Sequence, residues 1–117
     1  MKKITKYIDC INYDIVFKIG ENSQDNFDMI DDSLPDDIWF HVNNLPSAHI
    51  IASLPLGKKL DKKQLSKIIT QGAVICKQYS RYASQKNLKI VYTKVKFVKK
   101  TEIIGSVETN VTKIVTI

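Results

Sequence analysis

Cysteine, histidine, glycine and proline are all scarce in this 117-residue chain, which has two Cys, two His, four Gly and three Pro. Cys10 and Cys76 lie far apart and form no Cys-x-x-Cys. That excludes a disulfide-stapled scaffold and a zinc ribbon, and both thiols read as reduced, in a cytoplasmic setting. Structural zinc is built on four ligands and catalytic zinc on three. His41 and His49 have no third ligand at useful spacing, so no metal and no other cofactor is expected. Long apolar runs are also missing. Nothing approaches the roughly 18 residues of a membrane span, and the opening "MKKITKYIDC" has no apolar signal-peptide core. A membrane partner is therefore not expected.

Glycine poverty removes further classes. There is no P-loop, no Gly-x-Gly-x-x-Gly and no Gly-x-Ser-x-Gly elbow. Ser47 precedes His49 by two positions, too close on one strand for their side chains to meet. Asp36 and Asp37 are strand neighbours that point opposite ways, a poor acid/base pair. No enzyme is expected.

What is present is an ordinary folded composition, 44% hydrophobic and 26% charged. The length suits a single domain over residues 1–117 that buries about two-thirds of its unfolded surface. The net charge of +6 hides an asymmetry. Residues 1–57 carry four Lys against nine Asp and Glu, a net of −5, while residues 58–117 carry fourteen Lys and Arg against three acids, a net of +11. One part of the surface must be basic, with the acidic half available to neutralise some of it.

"KITKYIDC" and "YDIVFKIG" read as two strands joined near Ile11–Asn12, the second alternating at Ile15, Phe17 and Ile19. "ENSQDNFDMIDD" fits a short helix capped by Asn22 or Ser23, and Pro35 closes it. A β-hairpin follows in "DDIWFHVNNLPSAHI" and "AHIIASL". One long helix then starts at Asp61 and Gln64, the spacing of a capping box. Its apolar stripe runs Leu65, Ile68, Ile69, Gly72, Ile75, Cys76, Tyr79 and Ala83. Gly72 within that stripe implies close packing on a sheet. "LKIVYTKVKFVKK" and "VTKIVTI" read as strands, with "IIGSV" a short strand or turn between them. Runs of strands without regular βαβ units imply α+β: a largely antiparallel sheet, the long helix on one face, and a short helix near the N-terminus.

The hairpin window holds the only Trp and both His residues. Ile38, Phe40 and Val42 share one strand face, and Trp39 and His41 the other. The second face is either further core or a functional surface, with Trp39 a stacking platform. His41 and His49 approach each other across the hairpin. Each is fixed by a hydrogen bond, to Asp37 or a backbone carbonyl, or contacts a phosphate or base. The cations suggest a second element. Lys94 and Lys96 fall on one face of a strand that Lys99 and Lys100 end, and Lys77 and Arg81 lie four apart on the long helix. If helix end and strand converge, the six form the footprint of a phosphate-backbone reader.

Several blocks together resemble the NFACT-R family, the RNA-binding module of the NFACT proteins of ribosome-associated quality control. "VFKIGENSQDNFDMI" is similar to its strand, Gly and Asn-bearing helix, here Gly20 and Asn26. "PDDIWFHVNNLPSAHI" resembles its hallmark Asp-(Leu/Ile)-Trp-Phe-His, a Pro loop, and a His after two small residues. "CKQYS", "VYTKVKFVKK" and the Gly105-to-Val107 stretch complete the match over residues 13–117. Ser47-Ala48 stands where the family usually has Gly-Ser, a pattern nearer the stand-alone eukaryotic members. The Gly/Lys-rich loop is shortened to "TEIIG", which weakens the expectation of a backbone phosphate cradle there. The resemblance does not extend to the other domains of full-length NFACT proteins.

The resemblance implies non-catalytic binding of structured RNA, tRNA or ribosomal RNA, with DNA and the ribosome as further candidate partners. The expected site is Trp39, His41, His49, Lys77, Arg81, Lys94, Lys96, Lys99 and Lys100. The rival expectation is a protein-interaction adaptor that docks a partner through the Trp39/His41/His49 hairpin.

Overall fold

The computed structural model describes residues 1–117. Strands β1 (Lys2–Ile8) and β2 (Tyr13–Ile19) pair antiparallel around a tight 3-10 turn, which Asn12 closes at φ 48°. Helix α1 (Ser23–Asp31) begins where Asn22 Oδ1 accepts the Asp25 N–H at 2.8 Å. Strands β3 (Ile38–Val42) and β4 (Ile50–Ser53) form the hairpin. Helix α2 (Lys62–Gln78) opens on a complete capping box. Asp61 Oδ1 accepts the Gln64 N–H at 2.8 Å, and Gln64 Oε1 accepts the Asp61 N–H at 3.0 Å. Strands β5 (Lys89–Lys94), β6 (Val98–Lys100), β7 (Val107–Thr109) and β8 (Lys113–Thr116) follow.

Six strands make one wholly antiparallel sheet in the order β1-β2-β4-β3-β5-β8, and β6 and β7 pair as a separate ribbon. The fold is α+β, as expected. Helix α2 covers one face. Ile68, Ala73, Ile75 and Cys76 pack there on Phe17, Phe40 and other buried residues of the central strands. The aliphatic side chains at alternate strand positions lose nearly all contact with water, each worth about 1.5–3 kcal/mol on burial. Gly72 makes this possible, because a Cβ there would stand 2.2 Å from Phe40 Cζ. The opposite face is also covered. Met29 of α1 and Val98 of β6 pack over Trp39 and Ile51.

Two element boundaries differ from the sequence reading. "LKIVYTKVKFVKK" is not one strand. After Lys94 the chain makes a 3-10 turn (Val95–Phe97) and leaves the main sheet. The Val95 and Lys96 N–H groups are taken by the Asp37 and Pro35 carbonyls at 2.8 and 3.0 Å, which turns the backbone away from β3. The long helix stops at Gln78, short of Arg81 and Ala83. Ser80 ends it: its hydroxyl donates to the Lys77 carbonyl at 2.8 Å and accepts the Tyr82 N–H at 3.1 Å, a local alternative to another helical turn.

Candidate nucleic-acid interface

The loop after α1 organises one end of the sheet. Asp37 is buried and acts as a pin. Its two carboxylate oxygens accept the N–H groups of Leu54 and Leu34, both at 2.9 Å, and its carbonyl accepts the N–H of Val95. Three chain segments therefore meet at one residue. Its neighbour Asp36 points outward and pairs with Lys96 at 3.3 Å and Lys94 at 3.6 Å. Lys96 and Lys94 together hold the Asp36 carboxyl below its ordinary pKa. Asp31, at the end of α1, pairs with Lys100 at 2.6 Å. The acidic half thus tethers three lysines of the basic half.

Beside Asp36 runs a groove of about 630 Å³, floored by Ile38, Leu54 and Leu65 and rimmed by Lys58, Lys59 and Lys94. Lys94 also borders a smaller hollow of about 170 Å³ that it shares with Lys113. Five lysines from three parts of the chain, Lys58, Lys59, Lys94, Lys96 and Lys113, surround this end of the sheet. Lys58, Lys59 and Lys113 were missing from the sequence expectation. The signal was there in "GKKLDKK", which reads locally as a connection and acquires meaning only once α2 lies over the sheet.

The six expected cations do not converge. Lys77 sits at the far end of α2, where its Nζ donates to the Ile117 carbonyl at 3.1 Å. Ile117 pairs with Leu88 at the start of β5, whereas Lys94 ends that strand. The length of β5, about 16 Å, separates the two groups. Arg81 lies in the turn beyond the helix and shares no helix face with Lys77. Lys94 and Lys96 do not share a strand face, since Lys96 is in the turn, and both meet at Asp36 instead. Lys99 and Lys100 leave the main sheet on the β6–β7 ribbon, exposed and next to α1.

The hairpin residues are more enclosed than a stacking platform requires. Trp39 is only 3% exposed and His49 5%. Trp39 stacks internally on His41, with centroids 5.7 Å apart and planes 7° apart. Its indole N–H donates to His49 Nδ1 at 3.3 Å. His41 Nδ1 lies 2.6 Å from the Val42 carbonyl oxygen, which can only accept, so Nδ1 carries the proton. The His fixation therefore runs through Trp39 and a backbone carbonyl, not Asp37. The two imidazoles meet edge to face at 5.0 Å. Burial pushes the pKa of His49 down to about 3, helped by His41, and burial lowers His41 too, against the hydrogen bond to Val42. Both rings are neutral at pH 7. The hydroxyl of Ser47 closes the hairpin by accepting the Val42 N–H at 3.0 Å. Cys76 lies under the sheet with its thiol pushed up to about 12 by burial, which leaves it unreactive at neutral pH.

An antiparallel sheet with α2 on one face and a lysine-rimmed groove at one end defines the architecture of an α+β domain. The chain belongs to the NFACT protein RNA binding domain family, whose model matches residues 6–109. Over 83 residues it is 32% identical to coiled-coil domain-containing protein 25 of Danio rerio, covering 71% of this chain and 40% of that protein. The Dictyostelium discoideum homolog of the same protein is 31% identical over 96 residues, 81% of this chain and 46% of that one. This chain therefore spans under half the length of these curated relatives. Among solved structures, the C-terminal part of the fibronectin/fibrinogen-binding protein from Streptococcus suis superposes with a TM-score of 0.75 over 88% of this chain and 41% of that one. At 16% identity that likeness speaks for the fold alone.

Proposed function

We propose that this domain binds structured RNA, tRNA or ribosomal RNA, without catalysing a reaction on it, in a cytoplasmic translation or ribosome-quality-control setting. The observation that carries the reading is the pairing of Lys94 and Lys96 with Asp36 beside a groove rimmed by Lys58 and Lys59, with Lys113 sharing a smaller hollow with Lys94. Such a cluster suits phosphates, because a lysine ammonium is a compact, hydrated point charge on a flexible stem. Lys94 and Lys96 are each 44% exposed in their side chains, so a phosphate reaches them without unfolding anything. Lys99 and Lys100 extend the charge along the ribbon. Lys77 and Arg81 are a separate contact point, reached only by an RNA long enough to span the sheet. DNA shares the backbone chemistry and is a competitor for the same lysines.

Asp36 occupies the place a phosphate would take. The RNA must displace its carboxylate, so the free protein holds its own lysines in position. Binding of tRNA is measured across a salt series. With about four phosphate contacts, log K falls against log salt with a slope of roughly −3 to −4. Replacing Lys94 and Lys96 by Ala flattens that slope by up to about two, whereas replacing Lys77 and Arg81 by Ala changes it less. Asp36→Asn tightens binding a few-fold by removing the competing carboxylate. A salt-independent affinity, or a Lys94/Lys96 double variant that binds as well as wild type, overturns the reading. The adaptor reading, with a protein partner docked on the hairpin, then takes its place.

A further inference from the structure

We propose that His41 and His49 form a paired acceptor and donor that hydrogen-bonds the edge of an unpaired nucleobase. The inference rests on the RNA-binding reading and assigns a separate task within it: the lysines hold backbone, and the two imidazoles read a base. Nucleic-acid interfaces divide in this way, with phosphate contacts positioning and base contacts specifying.

The protonation pattern carries the argument. Trp39 donates its indole N–H to His49 Nδ1, so that nitrogen holds a lone pair and the His49 proton sits on Nε2. His41 Nδ1 faces a carbonyl oxygen, so its proton sits on Nδ1 and Nε2 is the lone pair. The protein therefore sets opposite tautomers on two rings 5.0 Å apart and nearly perpendicular. Neither Nε2 has a protein partner, yet the only buried side-chain polar atom left without one is Asn26 Oδ1. Both Nε2 atoms therefore touch solvent. One acts as donor and the other as acceptor, on rings whose centroids are 5.0 Å apart.

That pair selects among ligand classes. An anion gains one hydrogen bond from His49 but meets the lone pair of a neutral His41, so a phosphate is a poor fit. A metal ion needs two lone pairs and finds one. A neutral edge with a donor beside an acceptor satisfies both rings, and every nucleobase has such an edge. A base inside a duplex has already used its edge, which restricts the ligand to loops, bulges and single strands. Burial of both rings keeps them uncharged at pH 7, so the pattern persists under working conditions. A peptide amide also offers a donor and an acceptor. The family's nucleic-acid chemistry favours the base.

The test compares a uridine hexamer with an abasic ribose-phosphate hexamer of equal charge, using the single Trp as fluorescence reporter. Wild type is expected to bind the uridine hexamer about tenfold more tightly than the abasic one. His41→Phe keeps a ring against Trp39 and removes the acceptor. It is expected to weaken the uridine hexamer about five- to tenfold, with the abasic affinity and the salt slope unchanged. Imidazole nitrogen-15 spectra of the wild-type protein give a readout that needs no variant. The Nε2 signals of His41 and His49 move with the uridine hexamer and stay still with the abasic one. If both hexamers bind equally with salt dependence and neither signal moves, the base pocket is refuted while the RNA reading survives. If neither hexamer nor tRNA binds, both fall. A shift produced by N-acetylglycine methylamide but not by the uridine hexamer overturns the proposal in favour of a protein partner.

Discussion

On one face of β3, Ile38, Phe40 and Val42 lie under α2; on the other, Trp39 lies under α1 and the β6–β7 ribbon with His41 stacked on it. The first face is packed with aliphatic side chains and one aromatic ring against a helix, and its positions have no task except to exclude water. The second face is almost as well covered but contains polar groups. An indole N–H and two imidazoles are arranged so that each internal bond fixes a tautomer and leaves one nitrogen outward. Enclosure alone therefore does not separate core from site. The polar face differs because its hydrogen bonds are incomplete inside the protein, and because the two elements that cover it, α1 and the β6–β7 ribbon, are tied together by the Asp31–Lys100 ion pair.

The largest expected effect comes from attacking the apolar face. Phe40 is fully buried, and its ring sits directly against Gly72. Phe40→Ala loses the ring and leaves a cavity that helix and sheet cannot close, at a cost of about 3–5 kcal/mol in urea unfolding. Trp39→Phe on the other face keeps most of the apolar area. It loses one hydrogen bond and leaves His49 Nδ1 without its donor, at a cost of about 1–2 kcal/mol. Equal losses for the two variants would erase the distinction between the faces.

Acid should attack only the polar face at first. The two imidazoles titrate below their ordinary pKa in the folded chain, His49 at about 3. Between that value and about 6.5 the unfolded chain binds more protons than the folded one, so stability rises with pH there and is lost as pH falls. His49 alone removes on the order of 2 kcal/mol between pH 7 and pH 5. Asp25 and Asp36 have lowered pKa values and add to the loss only nearer pH 4 and below. Urea midpoints at pH 7, 6 and 5 follow this, with Trp39 emission reporting the face that protonates. A midpoint that does not move above pH 5 would mean the rings accept protons without unfolding.

Much of this contrast is legible in the sequence. Period-two alternation separates Ile38, Phe40 and Val42 from Trp39 and His41, because neighbouring strand residues point to opposite faces. The Asn22 cap and the Asp61–Gln64 capping box are local, with all partners within four residues, so spacing reveals them. Non-local contacts decided the rest. Nothing within "TKVKFVKK" announces that the Val95 and Lys96 N–H groups will be claimed by carbonyls about sixty residues earlier. The strand pattern continues through the break. The expected convergence of cations fails for the same reason: the direction in which α2 crosses the sheet places Lys58 and Lys59, not Lys77 and Arg81, beside Lys94. Alternation also says which residues share the second face but not that α1 and the ribbon cover it.

The smallest effects come from the two close-packed glycines, and they test how stiff each face is. A Cβ at Gly72 would lie 2.2 to 2.8 Å from three atoms of the Phe40 ring, which is locked among buried neighbours. Gly72→Ala gains about 1 kcal/mol of helix propensity. It pushes helix from sheet at a cost of about 1–3 kcal/mol, so a net loss of about 1 kcal/mol is expected. A Cβ at Gly20 would lie 2.0 Å from Asn26 Oδ1, the end of a side chain that no hydrogen bond holds there. That amide can swing outward, and Oδ1 then gains water in place of an enclosed position without a donor. Gly20→Ala is therefore expected to cost less than about 1 kcal/mol, despite the closer contact. Gly20 N–H donates to the His49 carbonyl at 2.9 Å, so the amide proton shifts of Gly20 and His49 report whether the strand pairing survives the change. A Gly20→Ala loss larger than that of Gly72→Ala would show that Asn26 is held as firmly as Phe40, and that the polar face is as rigid as the apolar one.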